Sequence, residues 1–366
     1  MPETKILRFF LGANSAQGFV SRFDQLGDPR DGWRLTILKG GPGTGKSTLM
    51  KNVASKLSDR CQVVEEIHCS SDVDSLDAVL FPEYRLSIAD GTAPHTLDPK
   101  YPGACETIAN LSDCWNESKL FDSRDAIMAS VNRCSDLHRS SSGYLYAAGS
   151  LLTEVQLMAR AATDEEKVRR LARSIAAREF PKSSGKEGRE RIRFLSGITN
   201  KGLVVFEDTA RTLASRIHLL EDPWGVSAPL LLGELRQLAL AAGLDVISCP
   251  CPLFPFGRIE HLFLPELDLG FMMFNRFHSV TLTPERTIHA RRFTDLEMIR
   301  SRKRRIAFLQ RAAWNMVEQS CTLLAQAKEE HDRLEKYYVD AMDWTAQQSL
   351  TEQVTERFEA LSKTEQ

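Results

Sequence analysis

The residues with the clearest chemistry lie early in the chain. Gly40, Gly41, Pro42, Gly43, Thr44, Gly45, Lys46 and Ser47 satisfy G-x-x-x-x-G-K-[ST], the spacing of a phosphate-binding loop, with Lys39 before them and Thr48 after. Glycines at these positions let the backbone bend so that successive N–H groups face an anion, and a helix that follows adds the positive end of its dipole. Lys46 offers a point charge to the phosphates and Ser47 a hydroxyl for Mg²⁺. The nucleotide-binding residues expected are therefore 40–48, with Lys46 also the catalytic cation.

Mg²⁺ in such a loop needs a carboxylate, supplied as a rule from the end of a neighbouring strand. Asp90 ends the apolar run Tyr84–Ala89, and Asp208 ends the run Leu203-Val-Val-Phe-Glu-Asp. The preference goes to Asp90, as metal ligand beside Ser47 and as catalytic acid, because an internal repeat assigns Asp208 to an earlier turn and helix, where it reads as a capping acid. Between loop and acid the chain is dense in polar groups: His68, Ser70, Asp72, Asp74, Ser75 and Asp77, then His95 and Asp98. His68, Asp77 and His95 are the candidates for a supporting or substrate-binding role. Asp74-Ser75 reads equally well as a helix cap, and His95 as a plain loop residue.

The elements needed to position these groups are present in order. Arg34-Leu-Thr-Ile-Leu38 reads as a strand after the turn Gly27–Gly32, and Leu49, Met50, Val53 and Leu57 follow the loop at helical spacing. Gln62–Ile67 and Tyr84–Ala89 read as further strands, with Ser71–Val79 a loop entering a short helix. From about Leu120 to Phe180 the pattern is helical, and Pro181–Gly188 reads as a linker.

A chain of 366 residues suggests two domains. Hydrophobic residues at 42% and charged residues at 26% exclude global disorder and point to a globular protein with a core. With 47 Lys plus Arg against 49 Asp plus Glu, the net charge of -2 gives no electrostatic case for nucleic acid as a partner. No apolar run is long enough to span a bilayer and the N-terminus lacks a signal-peptide pattern, so no membrane partner and a cytoplasmic location are expected. The eight cysteines read as reduced thiols. Cys249-Pro-Cys251, without a second pair or a nearby His at zinc spacing, reads as loop thiols and not as a metal site.

A repeat with a period of about 183 residues runs through the chain. Arg8–Phe19 resembles Arg193–Leu203, Cys69 with Leu80-Phe-Pro-Glu83 resembles Cys251 with Phe263-Leu-Pro-Glu266, and Lys167–Phe180 lines up with Thr345–Phe358. Where the first copy has the loop Lys39–Thr48, the second has Glu221-Asp-Pro-Trp-Gly-Val-Ser-Ala-Pro-Leu230. Ala228 stands at the lysine position and Pro229 at the hydroxyl position, two acids enter, and the prolines remove N–H donors, so the second loop is expected not to bind nucleotide. Arg191, Arg193, Arg211 and Arg216 are weighed as arginines reaching the γ-phosphate, against plain surface residues, and Arg300-Ser-Arg-Lys-Arg-Arg305 reads as a solvated face of a helix beginning near Asp295.

Taken with Phe10–Phe19, Leu38–Met50, His68–Asp77, Asp90–His95 and Asp98–Ala104, the whole chain resembles a bacterial family of tandem P-loop ATPases for which no substrate is established. The resemblance implies ATP binding in a duplicated P-loop fold. The expectation is thus an α/β protein of two tandem P-loop NTPase-like units, mostly parallel sheets with helical extensions, at residues 1–183 and 184–366, the second with a degenerate loop. The first unit is expected to bind Mg-ATP and hydrolyse it, coupled to an unidentified substrate or protein partner. A small-molecule or nucleotide kinase and a nucleotide-sensing module with negligible turnover are the alternatives.

Overall fold

The computed structural model describes residues 4–182 and 185–364, so the boundary expected between 183 and 184 lies outside the described residues. The chain begins β1 (Lys5–Phe9), the hairpin β2 (Gly12–Ser15) and β3 (Gly18–Ser21), β4 (Arg34–Lys39), α1 (Lys46–Ser58), β5 (Val63–His68), β6 (Leu76–Phe81), β7 (Leu86–Asp90) and β8 (Glu106–Asn110). Six of these strands form one sheet in the order β1-β5-β6-β7-β4-β8, parallel throughout except for β6. Three helices follow, α2 (Glu117–Asp122), α3 (Arg124–Arg160) and α4 (Glu165–Glu179).

The second half repeats the order. It runs β9 (Glu190–Ile192), the hairpin β10 (Ser196–Thr199) and β11 (Gly202–Val205), α5 (Glu207–Leu213), β12 (Arg216–Glu221), α6 (Ser227–Ala241), β13 (Val246–Pro250), β14 (Ile259–Leu264), β15 (Leu269–Phe274) and β16 (Arg286–His289). Its sheet has the order β9-β13-β14-β15-β12-β16, with β14 the antiparallel strand. Both sheets are therefore mixed and mostly parallel, and each strand has a counterpart. The two halves meet where the backbones of Phe10 and Phe194 exchange hydrogen bonds of 2.9 and 3.0 Å, with Phe10 stacked on Phe206.

The short helix expected within Ser71–Val79 is absent: Leu76 begins a strand. Every residue of β6 is buried, so it lacks the alternation of a half-exposed strand, and an apolar run of this length does not distinguish helix from central strand by periodicity. The third expected strand begins at Leu86, two residues late, because Pro82–Tyr84 forms a tight 3₁₀ turn that Arg85 closes at φ 51°.

The final helices α7 (Leu296–Ala341) and α8 (Trp344–Thr364) reveal an exchange. Val168, Ala172 and Ile175 of α4 pack among Leu231, Leu235 and Leu264 of the second half, whereas Val354 and Phe358 of α8 pack among Val53, Leu57 and Phe81 of the first. Each half thus lends its last helix to the sheet of the other. Between them α3 and α7 lie antiparallel, joined by Ser141–Ser320 at 2.8 Å, Arg133–Glu330 at 2.6 Å and Arg305–Glu154 at 2.7 Å. Phe358 meets Phe81 edge-on at 6.0 Å between ring centroids. Phe358→Leu should therefore cost about 1 kcal/mol. Hydrogen exchange checks it: amides of α1 should lose protection although the substitution lies in the distant second half.

Candidate functional site

β4 delivers the glycine loop to the carboxyl end of the first sheet, and α1 begins at Lys46. Gly43 sits at φ 68° and Gly45 at φ 89°, a left-handed backbone that glycine adopts without a Cβ clash. The first N–H groups of α1 lack partners within their own helix by construction and point back into this bend. Lys46 is buried, and its Nζ donates to the carbonyls of Gly40 at 3.0 Å and Gly41 at 2.6 Å. Thr44 closes the bend by donating to the Gly41 carbonyl at 2.8 Å, and the Ser47 hydroxyl accepts the N–H of Leu76 at 3.0 Å. Pro42 and Thr48 occupy the bend and the first turn of α1.

The structure brings Asp90 to this loop. β7 lies next to β4, with Leu38 opposite Asp90, and the Asp90 carboxylate stands 3.6 Å from Lys46 Nζ while accepting the N–H and hydroxyl of Thr92. Asp208 is far from this geometry: it lies in α5, three-quarters exposed, and pairs with Arg8 and Arg211.

Asp77 and His95 form a second pair, both buried, with His95 Nε2 3.5 Å from the carboxylate. A β-bulge makes this possible. Ile67 faces Ala78 and His68 faces Leu76, leaving Asp77 as the extra residue whose side chain is re-aimed. The His95 ring stacks on Phe23 at 4.5 Å. Burial pulls the His95 pKa down, but the carboxylate of Asp77, with that of Asp90 beyond, more than reverses this and the net shift is upward. A histidine raised in the folded state stabilises the fold below its unfolded pKa, and that contribution is lost as pH rises through the folded value. Asp77→Asn should leave burial opposed only by the more weakly acting Asp90, so the His95 pKa should fall from its raised value. An NMR titration of the imidazole reads this directly, and the stability gap between wild type and variant should narrow as pH rises.

Other expected groups go elsewhere. His68 turns to the Val73 carbonyl at 2.7 Å and to the ring of Phe206, outside the group formed by Lys46, Asp90, Asp77 and His95. Asp72 and Asp74 are held by Lys328 and Lys201, and Asp98 by Lys39. The four arginines weighed for a γ-phosphate are engaged by carboxylates instead: Arg191 and Arg193 bind the buried Glu65, Arg211 binds Glu207, and Arg216 binds Glu179 and Glu285. Within the basic run of α7, Arg305 pairs with Glu154 and Arg302 donates to the Met158 carbonyl, so these two serve helix packing.

Sequence reasoning did not foresee what covers the loop. A Cβ added to Gly41 would lie 2.4 Å from the Tyr338 ring, one on Gly43 3.0 Å from Glu335, and one on Gly45 2.9 Å from Gln347. The end of α7 and the start of α8 therefore rest on the loop, and the glycines are required by this approach as well as by the bend. Farther back along α7, Gln310 donates to the carbonyl of Pro223 at 2.6 Å in the second loop. One helix spans the about 42 Å between the two contacts, at 1.5 Å per residue.

The second loop keeps the bend, with Gly225 at φ 68° as at Gly43. Asp222, the counterpart of Gly40, is buried and turns its carboxylate inward to accept the N–H groups of Trp224 at 3.1 Å, Gly225 at 3.0 Å and Ala228 at 2.8 Å. Burial pushes its pKa up, and those donors offset only part of the shift. The partner of the missing lysine is missing too, since the strand register places Met273 where the first half has Asp90. Comparison with known proteins is silent on this arrangement: no family model, curated protein or solved structure matches the chain.

Proposed function

We propose that the chain is built from two tandem P-loop units, that the first binds Mg-ATP at residues 40–48 and hydrolyses it, and that the second has given up nucleotide. The observation that carries this reading is the contrast between the loops. The second satisfies its inward N–H groups with its own Asp222 carboxylate, whereas the first has Gly40 at that point, leaving an anion as the complementary ligand.

Lys46 lies where it can turn from the carbonyls of Gly40 and Gly41 to a phosphate. Ser47 and Asp90 are the oxygens that would hold Mg²⁺, which supplies charge neutralisation between the phosphates. The buried Asp77–His95 pair lies near this group, and the carboxylate raises the imidazole pKa above its ordinary value, which favours the protonated form suited to developing negative charge. The coupled element is α7. It touches both loops, so a change in the seat of Tyr338 on Gly41 is felt along a helix that ends its reach at Pro223.

Isothermal titration with a non-hydrolysable ATP analogue tests the proposal. One site per chain is expected, with affinity weakened when Mg²⁺ is omitted or Asp90→Asn is introduced. Two sites per chain, or binding that Asp90→Asn leaves equally Mg²⁺-dependent, would contradict it. Phosphate release without an added acceptor distinguishes hydrolysis from transfer to a metabolite.

A further inference from the structure

The second half carries a buried cluster that the nucleotide reading does not use. Glu260, His261 and His278 are at most 5% exposed, and one potential ligand atom from each lies within 4.8 Å of the other two. A β-bulge assembles them: Cys249 faces His261 and Pro250 faces Ile259, so Glu260 is the extra residue and its side chain joins that of its neighbour. His278 arrives from the turn after β15, with Nε2 2.5 Å from Glu260.

The Glu260–His278 contact accounts for two of these residues but not for the third. His261 is fully buried, and among the described residues neither of its ring nitrogens has a hydrogen-bond partner, nor does Nδ1 of His278. Leaving such groups unpaired costs about 1–3 kcal/mol each. Packing does not demand the imidazole, because the first half builds the same bulge with Asp77 and His95 and has Ala78 at the position of His261. Two imidazoles and a carboxylate are the ligand set of a first-row divalent metal. In a tetrahedron with bonds of about 2.0 Å the donor atoms lie about 3.3 Å apart, so an ion would open the 2.5 Å Glu260–His278 contact and draw His261 in, with the three filling three of its four corners. A cavity bordered by Glu260, His278, Asn275 and the second loop lies alongside the set.

We propose that Glu260, His261 and His278 form a Zn²⁺-class metal site in the second half, with three protein ligands and a fourth position open to the cavity for water or a small ligand. The site stands apart from the nucleotide loop and does not depend on it.

The test is made on the full chain, stripped with chelator and dialysed against trace Zn²⁺. Metal analysis should find one Zn²⁺ per chain, saturating Zn²⁺ should raise the melting temperature, and Co²⁺ in its place should give visible d–d bands of a low-coordinate histidine site. Glu260→Gln, which keeps the shape, and His261→Leu, which keeps an apolar core, should each weaken Zn²⁺ binding by at least about tenfold and reduce the thermal shift at a given Zn²⁺ concentration. If His261→Leu does not fold, Glu260→Gln and the wild-type Co²⁺ spectrum decide. No Zn²⁺ above the buffer blank overturns the proposal. So does Zn²⁺ that Glu260→Gln and His261→Leu hold as tightly as wild type, or that is lost instead on replacing Cys249 and Cys251 with Ser.

Discussion

Lys46→Ala should weaken ATP binding by about 100-fold, or about 2.7 kcal/mol, while the protein stays folded. The figure follows from what Lys46 does. Its ammonium is buried, holds the loop through the carbonyls of Gly40 and Gly41, and stands 3.6 Å from Asp90. On nucleotide binding it would exchange these for a charge-assisted bond to phosphate, the strong class of hydrogen bond. The substitution also leaves Asp90 without its cation, so the anionic ligand would meet an uncompensated carboxylate. Titration with ATP at fixed Mg²⁺ measures the loss, and unchanged far-UV circular dichroism excludes unfolding as its cause. Affinity within twofold of wild type would end the claim that this loop is the nucleotide site. The equivalent test in the second half is Ala228→Lys, which should add no site, because Asp222 and Pro229 still occupy the bend.

The loop, the strand before it and the helix after it were legible because glycine spacing and helical periodicity are local properties. The placement of Asp90 beside the loop was legible through the repeat, which moved Asp208 to an outlying helix. Other features are set by tertiary contact and left little local trace. The exchange of α4 and α8 between sheets depends on which apolar face Val168, Ile175, Val354 and Phe358 meet, and an amphipathic helix does not name its partner. Tyr338 on Gly41 is hidden for the same reason, since a glycine required by the bend gives no sign that a ring also needs the space. The cluster around Glu260 had a usable signal. Carrying the repeat through Leu76-Asp-Ala-Val-Leu-Phe-Pro-Glu83 and Ile259-Glu-His-Leu-Phe-Leu-Pro-Glu266 pairs Asp77 with Glu260 and Ala78 with His261. Searching for metal ligands at zinc spacing around Cys249-Pro-Cys251 missed it, because the third ligand, His278, comes from the next strand's turn.

Asp222→Ala should destabilise the protein by about 3 kcal/mol or more, the largest effect expected in the second half. The carboxylate satisfies N–H groups of Trp224, Gly225 and Ala228 in a buried bend, and alanine leaves all three without an acceptor at about 1–3 kcal/mol each. Water entering the vacated space would recover part of this, which keeps the expected loss near the lower bound. Denaturant titration gives the stability. A role as an ordinary turn residue predicts the same sign, so a second readout is needed. If the carboxylate stands in for a phosphate, an added oxyanion should substitute for it. Sulfate should then raise the melting temperature of Asp222→Ala more than that of wild type at equal ionic strength, with chloride giving no such difference. Equal responses to sulfate in both proteins would show that the second loop never formed an anion cradle, and the contrast with Gly40 would lose its meaning.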